Sequence, residues 1–431
     1  MPRAIIFRER LIGPSETFIV EQALALRRYR PVLAGLRRTE PRLAHELPEI
    51  LLSEGAGIRD KVVAHLYRDV PLARRFFQRL AELNPSIIHA HFAVDAVQAL
   101  PIADALRLPI VVSLHGFDVT SSDAAHRKSY SGRHFLTHRT KLFARTSAFL
   151  CVSKSIQEAA LRGGFPEEKL HLHYTGVDCE RFCPAPIERD PNLVLFVGRL
   201  VEKKGCEYLL RAMALVQKQD AKVRLDIIGD GPLRSELESL AKALGIRARF
   251  RGMLDPEEVQ SSMSRARVLC NPSVTAASGD VEGFGMVFAE AQAVGTPVVS
   301  FAHAAIPEAV SHGLTGLLCP ERSVEPLAEA IVTFLSDDSF WFRASHYATN
   351  WVRDRFDIAR QTRKLEAIYD GCLEQSLRIS SLPGSGSRVR GAVGTLAAVS
   401  EFRADAALDA SGCSIAIPSL GIRAKGVTPR S

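Results

Sequence analysis

The sequence alternates short apolar segments with longer amphipathic segments, and it does so in two successive series. The apolar segments predict strands and the amphipathic segments predict helices. Strands that alternate with helices connect by crossovers, so they form parallel sheets with helices on both faces. The second series predicts strands at 193–197, 224–228, 248–252, 268–271 and 297–301, and helices at 207–218, 232–244, 256–264 and 286–294.

The first series is less regular. It predicts strands at 5–7, 86–92, 109–114, 148–153 and 171–174, and helices at 18–29, 95–106, 137–146 and 154–162. The polar residues 37–80 are predicted to be helical, and a proline-marked segment at 178–191 is predicted to be a linker. A chain of 431 residues is also long for one core. We therefore predict an α/β protein with two Rossmann-like domains, at 1–185 and 192–375, followed by a Gly/Ser/Ala-rich disordered tail at 376–431.

Composition narrows the class of protein. Hydrophobic residues make up 46% of the chain and charged residues 24%, which is typical of soluble globular proteins. We see no export signal at the amino terminus, and the eight cysteines lack metal-binding spacing, so we expect a cytoplasmic location. Residues 1–190 carry 27 Lys and Arg against 21 Asp and Glu. This excess suits either an anionic membrane surface or an ordinary solvated surface, and we find no nucleic-acid-binding motif.

Four consecutive predicted strands of the second series end in loops of a ligand-binding type. The carboxyl ends of parallel strands meet at one edge of the sheet, so these loops should line one crevice. Cations beside a glycine suit a diphosphate, and bare amides at a helix start suit an anion. Each loop alone is better explained as a turn or as surface charge. The loops contain Gly198, Arg199 and Lys204; Gly229 and Gly231; Gly252 and Met253; and Glu282, Gly283, Phe284 and Gly285.

In this order the motifs resemble the nucleotide-sugar half of GT-B glycosyltransferases of family 4, the glycosyl transferases group 1. The matching segments are G-R-L-V-E-K-K-G at 198–205, I-G-D-G-P at 228–232, E-G-F-G-M-V-F-A-E-A at 282–291 and G-T-P-V-V at 295–299. The spacing from Glu282 to Glu290 is the most specific of these features. The resemblance covers nearly all of residues 1–375. It implies two Rossmann-like domains facing across a cleft, with a C-terminal helix that crosses back to the first domain.

The resemblance also implies a role for each matching residue. Arg199 and Lys204 are expected to bind the donor diphosphate, and Glu282 to contact the donor sugar. His115 matches the family histidine that faces the donor sugar, so it joins these three in the expected catalytic set. The expected donor-binding residues are Gly198, Gly229, Gly231, Gly252, Met253, Gly283, Phe284, Gly285 and Glu290, with Glu290 on the ribose hydroxyls.

The acceptor side departs from the common family pattern. Many members carry a Gly-Gly loop after the first strand, whereas this chain has S-E-T-F-I at 15–19. That form resembles members that assemble exopolysaccharides or other surface glycans. Ser15, Glu16 and Asp118 are therefore the acceptor-side candidates, although Asp118 equally suits a helix cap. His89 and His91 lack a third ligand, so we expect no metal site.

We therefore expect a retaining, metal-independent glycosyltransferase that needs no cofactor. Its expected partners are a nucleotide sugar and a saccharide or lipid-linked acceptor. We also expect peripheral association at the cytoplasmic face of the inner membrane, and no binding to nucleic acid. Two alternatives use the same cleft. One is a nucleotide-sugar epimerase of GT-B fold, and the other is a subunit that binds a nucleotide sugar without turning it over.

Overall fold

The computed structural model describes residues 1–13, 16–39, 45–67 and 71–381. Within these residues the chain forms two sheets in which every strand pairs in parallel with its neighbours. The sheets have seven and six described strands. Helices alternate with the strands along the chain and cover the faces of each sheet. The predicted fold of two Rossmann-like domains is confirmed.

The first half holds the seven-stranded sheet. Its elements are β1 (Arg3–Leu11), α1 (Thr17–Leu24), β2 (Arg30–Arg38), β3 (Glu49–Leu51), α2 (Ile58–His65), α3 (Pro71–Glu82), β4 (Pro85–His91), α4 (Ala93–Leu106), β5 (Ile110–Leu114), α5 (Phe117–Thr120), α6 (Asp123–His126), α7 (Tyr130–Arg145), β6 (Ala148–Cys151), α8 (Lys154–Arg162) and β7 (Leu170–Leu172). The strand order is β3-β2-β1-β4-β5-β6-β7.

The second half holds the six-stranded sheet. Its elements are β8 (Asp190–Val197), α9 (Cys206–Gln219), β9 (Arg224–Ile228), α10 (Arg234–Ala243), β10 (Ala248–Gly252), α11 (Pro256–Arg265), β11 (Ala266–Cys270), α12 (Met286–Ala293), β12 (Val298–Phe301), α13 (Ile306–Ala309), β13 (Gly316–Cys319), α14 (Val324–Ser336), α15 (Asp338–Arg355) and α16 (Ile358–Ser381). The order β10-β9-β8-β11-β12-β13 reverses direction beside β8. Ligands of such sheets bind at the carboxyl ends of the strands near this reversal.

Strands β5 and β11 are buried along their whole length, as expected where helices cover both faces of a parallel sheet. Most polar groups are left to the loops at the strand ends, although His89 and His91 lie buried within β4. This arrangement places the chemically active side chains of both halves at sheet edges.

The prediction for residues 37–80 was wrong for the part before Ile58 and is confirmed for residues 58–65 and 71–80, which are helical. β2 covers residues up to Arg38 and β3 covers Glu49–Leu51, while helices begin only at Ile58. β2 is held by pairing with β1 along nearly its whole length, a non-local interaction that residue propensity does not report. Helix α1 ends at Leu24, short of the predicted residue 29, and the four-residue strand β13, which pairs with β12, was missed.

The C-terminal helix crosses back to the first half, as predicted. The Glu366 carboxylate on α16 accepts hydrogen bonds from the backbone N–H groups of Arg27 (2.7 Å) and Arg28 (2.6 Å). The backbones of Val177 and Ile358 also pair where the chain returns, with Val177 donating to Phe356 (2.7 Å) and Ile358 donating to Val177 (2.9 Å). Helix α16 runs to Ser381, so residues 376–381 are helical and not the start of a disordered tail. Residues 382–431 lie outside the described part of the chain.

Among the described residues, none of the helices is both long enough and apolar enough to cross a membrane.

Candidate functional site

Glycines allow the loops at the carboxyl ends of β8, β9 and β10 to pack directly on one another. A Cβ atom added to Gly229 would lie 2.0 Å from the carbonyl oxygen of Gly198, and one added to Gly231 would lie 2.5 Å from that of Leu200. Gly229 also donates a backbone hydrogen bond to Gly252 (2.8 Å). These glycines therefore shape the floor of the crevice, where no side chain would fit. Met253, at the end of β10, is 56% exposed.

A buried ion pair joins the first of these loops to the loop that follows β11. The Lys204 ammonium lies 2.5 Å from the Glu282 carboxylate, to which Ser273 Oγ also donates at 3.2 Å. Burial alone raises the pKa of Glu282, but the charges of Lys204 and Lys203 and the two hydrogen bonds outweigh it, and the pKa falls to about 2. Glu282 is therefore a carboxylate at neutral pH. The sequence placed both residues at the site but did not show that they pair.

Arg199 is different from Lys204 in its surroundings. Its side chain is exposed and makes no hydrogen bond or ion pair with any other described residue. The neighbouring Lys203 is instead 3.0 Å from Asp280. Arg199 is thus a cation available to a ligand at the crevice.

The loop that begins helix α12 supplies unused backbone donors. Within the described residues the N–H groups of Gly283, Phe284 and Gly285 donate no hydrogen bond, and Gly285 adopts a left-handed conformation with φ of +81°. The Phe284 ring points away from solvent and packs against Phe356 (4.9 Å between centroids) and Tyr174 (5.7 Å). The three amides at the positive end of the helix suit an anionic group.

Glu290 lies on α12, and its side-chain carboxylate has no hydrogen-bond partner among the described residues. Burial and the nearby charge of Glu21 raise its pKa to about 7, although Arg181 and Lys204 act in the opposite direction. Arg181 is itself paired with Glu21 at 2.8 Å. The two glutamates of the 282–290 motif therefore have opposite ionisation behaviour, with Glu282 held as a carboxylate and Glu290 close to half protonated at neutral pH.

The first half meets this loop through His115. A Cβ atom added to Gly283 would lie 1.8 Å from the His115 carbonyl oxygen, and Ser153 Oγ donates to the Gly283 carbonyl at 2.7 Å. The side chain of His115 is partly exposed and packs on Phe92 (4.6 Å between centroids) and Phe18 (5.1 Å). The structure therefore brings His115 and the glycine loop of the other half into direct contact.

The acceptor-side candidates are occupied by contacts within the first half. The buried Asp118 carboxylate accepts hydrogen bonds from the backbone N–H groups of Ala93 (2.9 Å), His115 (3.1 Å) and Gly116 (2.9 Å). Asp118 thus caps these turns and fixes the loop that carries His115, and it does not offer a free carboxylate. Glu16 pairs with Arg8 at 2.5 Å and accepts from the Gly13 amide at 3.1 Å. Ser15 lies outside the described residues.

Sequence reasoning missed contacts between the halves. The Glu308 carboxylate accepts from the backbone N–H groups of Lys154 (2.9 Å) and Ser155 (3.1 Å) at the start of α8, and from the Tyr174 hydroxyl (2.9 Å). Ser153 could be found as a helix cap by its position after a strand, but its second partner, Gly283, could not. Within the described residues no group of three or more His, Cys, Asp or Glu side chains is arranged to hold a metal ion.

Two family models together match most of the described chain. The model described as glycosyl transferases group 1 matches residues 182–351. The model described as glycosyltransferase family 4 matches residues 16–181. A D-inositol 3-phosphate glycosyltransferase from Corynebacterium urealyticum is 30% identical over 321 residues, covering 68% of this chain and 73% of the relative. The chain belongs to the family 4 glycosyltransferases. The resemblance stated from the sequence is therefore confirmed.

A second relative points to a group within the family 4 glycosyltransferases. WcaL of Escherichia coli K12, named for colanic acid biosynthesis, is 32% identical over 256 residues, or 58% of this chain. The match spans 61% of WcaL, less than two thirds of its length. Among solved structures, Anabaena HepE in complex with UDP and glucose aligns with a TM-score of 0.69 at 20% identity, covering 86% of this chain and 100% of HepE. This likeness supports the fold.

Proposed function

We propose that this protein moves a sugar from a nucleotide diphosphate sugar to an acceptor hydroxyl, with retention of configuration and without a metal ion. The observation that carries the proposal is the joint presence, at one sheet edge, of an unpartnered Arg199, the Lys204 to Glu282 ion pair and three free amides at 283–285. A diphosphate needs positive charge and N–H donors, and these groups supply both.

The reaction can be written with these groups in fixed roles. The bond from the anomeric carbon to the phosphate oxygen breaks while a bond from the acceptor oxygen forms on the same face of the sugar. The acceptor proton passes to an oxygen of the departing phosphate. Arg199, Lys204 and the amides stabilise the negative charge that grows on that phosphate, so a divalent metal is not needed for this role. Glu282, which stays ionised, is assigned to the donor sugar hydroxyls.

The proposed pathway is exopolysaccharide or surface-glycan synthesis, and the proposed acceptor is a saccharide or a lipid-linked saccharide. The name of WcaL and the sequence S-E-T-F-I at 15–19 support it.

A thermal-shift panel of nucleoside diphosphates and their sugars tests the donor, because selective binding raises the melting temperature by mass action. We expect one nucleoside diphosphate and its sugar to raise it, and nucleoside monophosphates to have little effect. Absence of any shift would contradict the donor site. Incubation of the protein with the stabilising sugar alone separates transfer from epimerisation, since an epimerase would convert it without an acceptor.

We further propose that helix α2 docks the protein on an anionic membrane from the cytoplasmic face. Ile58, Val62 and Leu66 follow one face of the helix at intervals of four residues and are 80%, 51% and 48% exposed. An apolar stripe of this kind beside basic side chains is typical of helices that lie in a membrane interface. Arg59 and Lys61 on α2 are exposed, and Tyr130, whose ring packs on His65 (3.9 Å between centroids), follows the exposed Arg127 and Lys128 in sequence.

Sedimentation with liposomes tests this docking. We expect the unmodified protein to sediment with anionic liposomes at low salt and much less with neutral liposomes or at high salt. The double substitution Ile58→Ser and Val62→Ser should reduce the bound fraction several-fold. Phe342→Ser, at a side chain of the second half that is 70% exposed, is the matched control and should bind as the unmodified protein does. Equal binding by the double variant would contradict the assignment of α2.

A further inference from the structure

Two histidines share a hydrogen bond beneath the proposed donor sugar site. His91 ends β4, and its Nδ1 lies 3.0 Å from Nε2 of His115, which follows β5. The neighbouring His89 does not take part, because its Nδ1 is bonded to the Tyr369 hydroxyl (2.7 Å) and its Nε2 to Ser113 Oγ (2.8 Å). His91 is therefore the imidazole that acts directly on His115.

Both members of this pair are neutral. Burial lowers the pKa of His91 and of His115 well below the usual value, and the positive charge of Arg8 acts in the same direction. A neutral imidazole carries one proton on one of its two nitrogens. The proton in the shared hydrogen bond thus belongs to either His91 or His115, and each choice fixes the other ring.

The unused nitrogen of His91 decides between these choices. Nε2 of His91 is buried and has no hydrogen-bond partner among the described residues. If His115 donated, His91 would carry its proton on this nitrogen, and an N–H group would be buried without an acceptor. Buried donors without a partner are rarer than buried acceptors without one. The favoured arrangement has Nδ1–H of His91 donating to Nε2 of His115.

We propose that His91 is a positioning residue that holds His115 in the tautomer with its proton on Nδ1. His115 is partly exposed, and its Nδ1 has no partner among the described residues, so this N–H is available to an oxygen in the cleft. That this oxygen is a hydroxyl of the donor sugar rests on the proposed function, whereas the tautomer does not. A nitrogen that already carries a proton cannot act as a base, so His115 binds the sugar and leaves the acceptor proton to the phosphate.

Nuclear magnetic resonance of protein labelled with 15N on the histidine rings tests the tautomer directly. The signals of His115 are assigned by their loss in His115→Gln. We expect Nδ1 of His115 to be protonated and Nε2 to be unprotonated. Protonated Nε2 on His115 in the unmodified protein would overturn the inference. The expected tautomer in a protein that transfers no sugar would leave it standing and contradict only the proposed function.

Two substitutions of His91 test its effect on turnover. His91→Phe keeps an aromatic ring and removes the donor, and it should reduce kcat at least tenfold with the KM for the donor changed less than threefold. His91→Asn keeps an N–H donor near the same place and should restore most of kcat. His89→Phe, which removes a buried imidazole without altering the bond to His115, is the control for packing. An unchanged His115 tautomer in His91→Phe, or an equal loss in His91→Asn and His91→Phe, would overturn the positioning role.

Discussion

The two halves have the same parallel architecture but differ in how far the polar groups at their facing edges have hydrogen-bond partners. In the first half the carboxylates at the edge have partners within the chain, as with Asp118 on three backbone amides and Glu16 on Arg8, while one ring nitrogen of His91 and one of His115 have none among the described residues. In the second half the Arg199 side chain, the amides at 283–285 and the Glu290 carboxylate have no partner among the described residues. Paired carboxylates hold their loops in a fixed shape, whereas unpartnered charges and amides gain most when a polar ligand supplies the missing partners. This contrast suits a second half that binds the charged donor.

Lys204→Ala tests the edge of the second half, and of the proposed changes it should have the largest effect. The substitution removes a cation from the proposed phosphate site and leaves the buried Glu282 carboxylate without its partner. We expect kcat to fall about 10²–10³-fold, the range found when one group that stabilises transition-state charge is removed. Steady-state assay of sugar transfer measures this. Lys203→Ala removes the neighbouring pair with Asp280 and a hydrogen bond to the Val281 carbonyl (3.4 Å) but leaves Lys204 paired with Glu282, so it is the matched control and should lose far less. A near-normal kcat for Lys204→Ala would refute the phosphate role.

Gly283→Ala tests the contact between the two edges. Its added Cβ would lie 1.8 Å from the carbonyl oxygen of His115, so one of the two backbones must move. Overpacking of this kind costs about 1–3 kcal/mol, and we expect a melting temperature lower by several degrees together with at least a tenfold loss of turnover. Calorimetry and the transfer assay check both. The control is Gly371→Ala on α16, where nothing lies within 4 Å of the added atom. If both variants behave alike, the halves do not meet at Gly283.

The pH dependence of stability distinguishes Glu282 from Glu290 in the second half. Of the predicted effects it should be the smallest. The pKa of Glu290 is raised to about 7, so its stabilising contribution is complete below pH 4.5 and is lost as pH rises towards 7. The pKa of Glu282 is lowered to about 2, so its contribution is present above pH 4.5 and is lost as pH falls towards 2. Each unit of pKa shift corresponds to about 1.4 kcal/mol at most.

Melting temperatures measured from about pH 2 to pH 8 check these signs. The melting temperature of the unmodified protein relative to that of Glu290→Gln should fall as pH rises from 4.5 to 7. The melting temperature of the unmodified protein relative to that of Glu282→Gln should instead fall as pH falls below 4.5. Curves that remain parallel for Glu290→Gln would show that Glu290 has an ordinary pKa.

The second half was more predictable from sequence than the first, for a physical reason. Its strands and helices show clearly in the local apolar pattern although the pairing of β8 with β11 is long-range, and its ligand loops carry glycines at positions where the backbone must pack closely, such as Gly229. In the first half β2 is held by pairing with β1, and the local pattern did not predict this strand. Residue types and strand ends place His115 and Glu282 at an edge. They cannot show that Glu282 pairs with Lys204 or that His115 bonds to His91, since both contacts depend on the packed structure.

The paired backbones of Val177 and Ile358 limit how the cleft can open. The chain passes between the halves twice, before β8 and again after α15, and the two passages are bonded to each other through Val177, Phe356 and Ile358. Two connections fixed side by side act as a single hinge line. Rotation about that line widens the cleft, while sliding of one half along the other would break the pairing. We therefore expect the cleft to open by rotation about this line, and the distance from His115 to Gly283 would report how far it has opened.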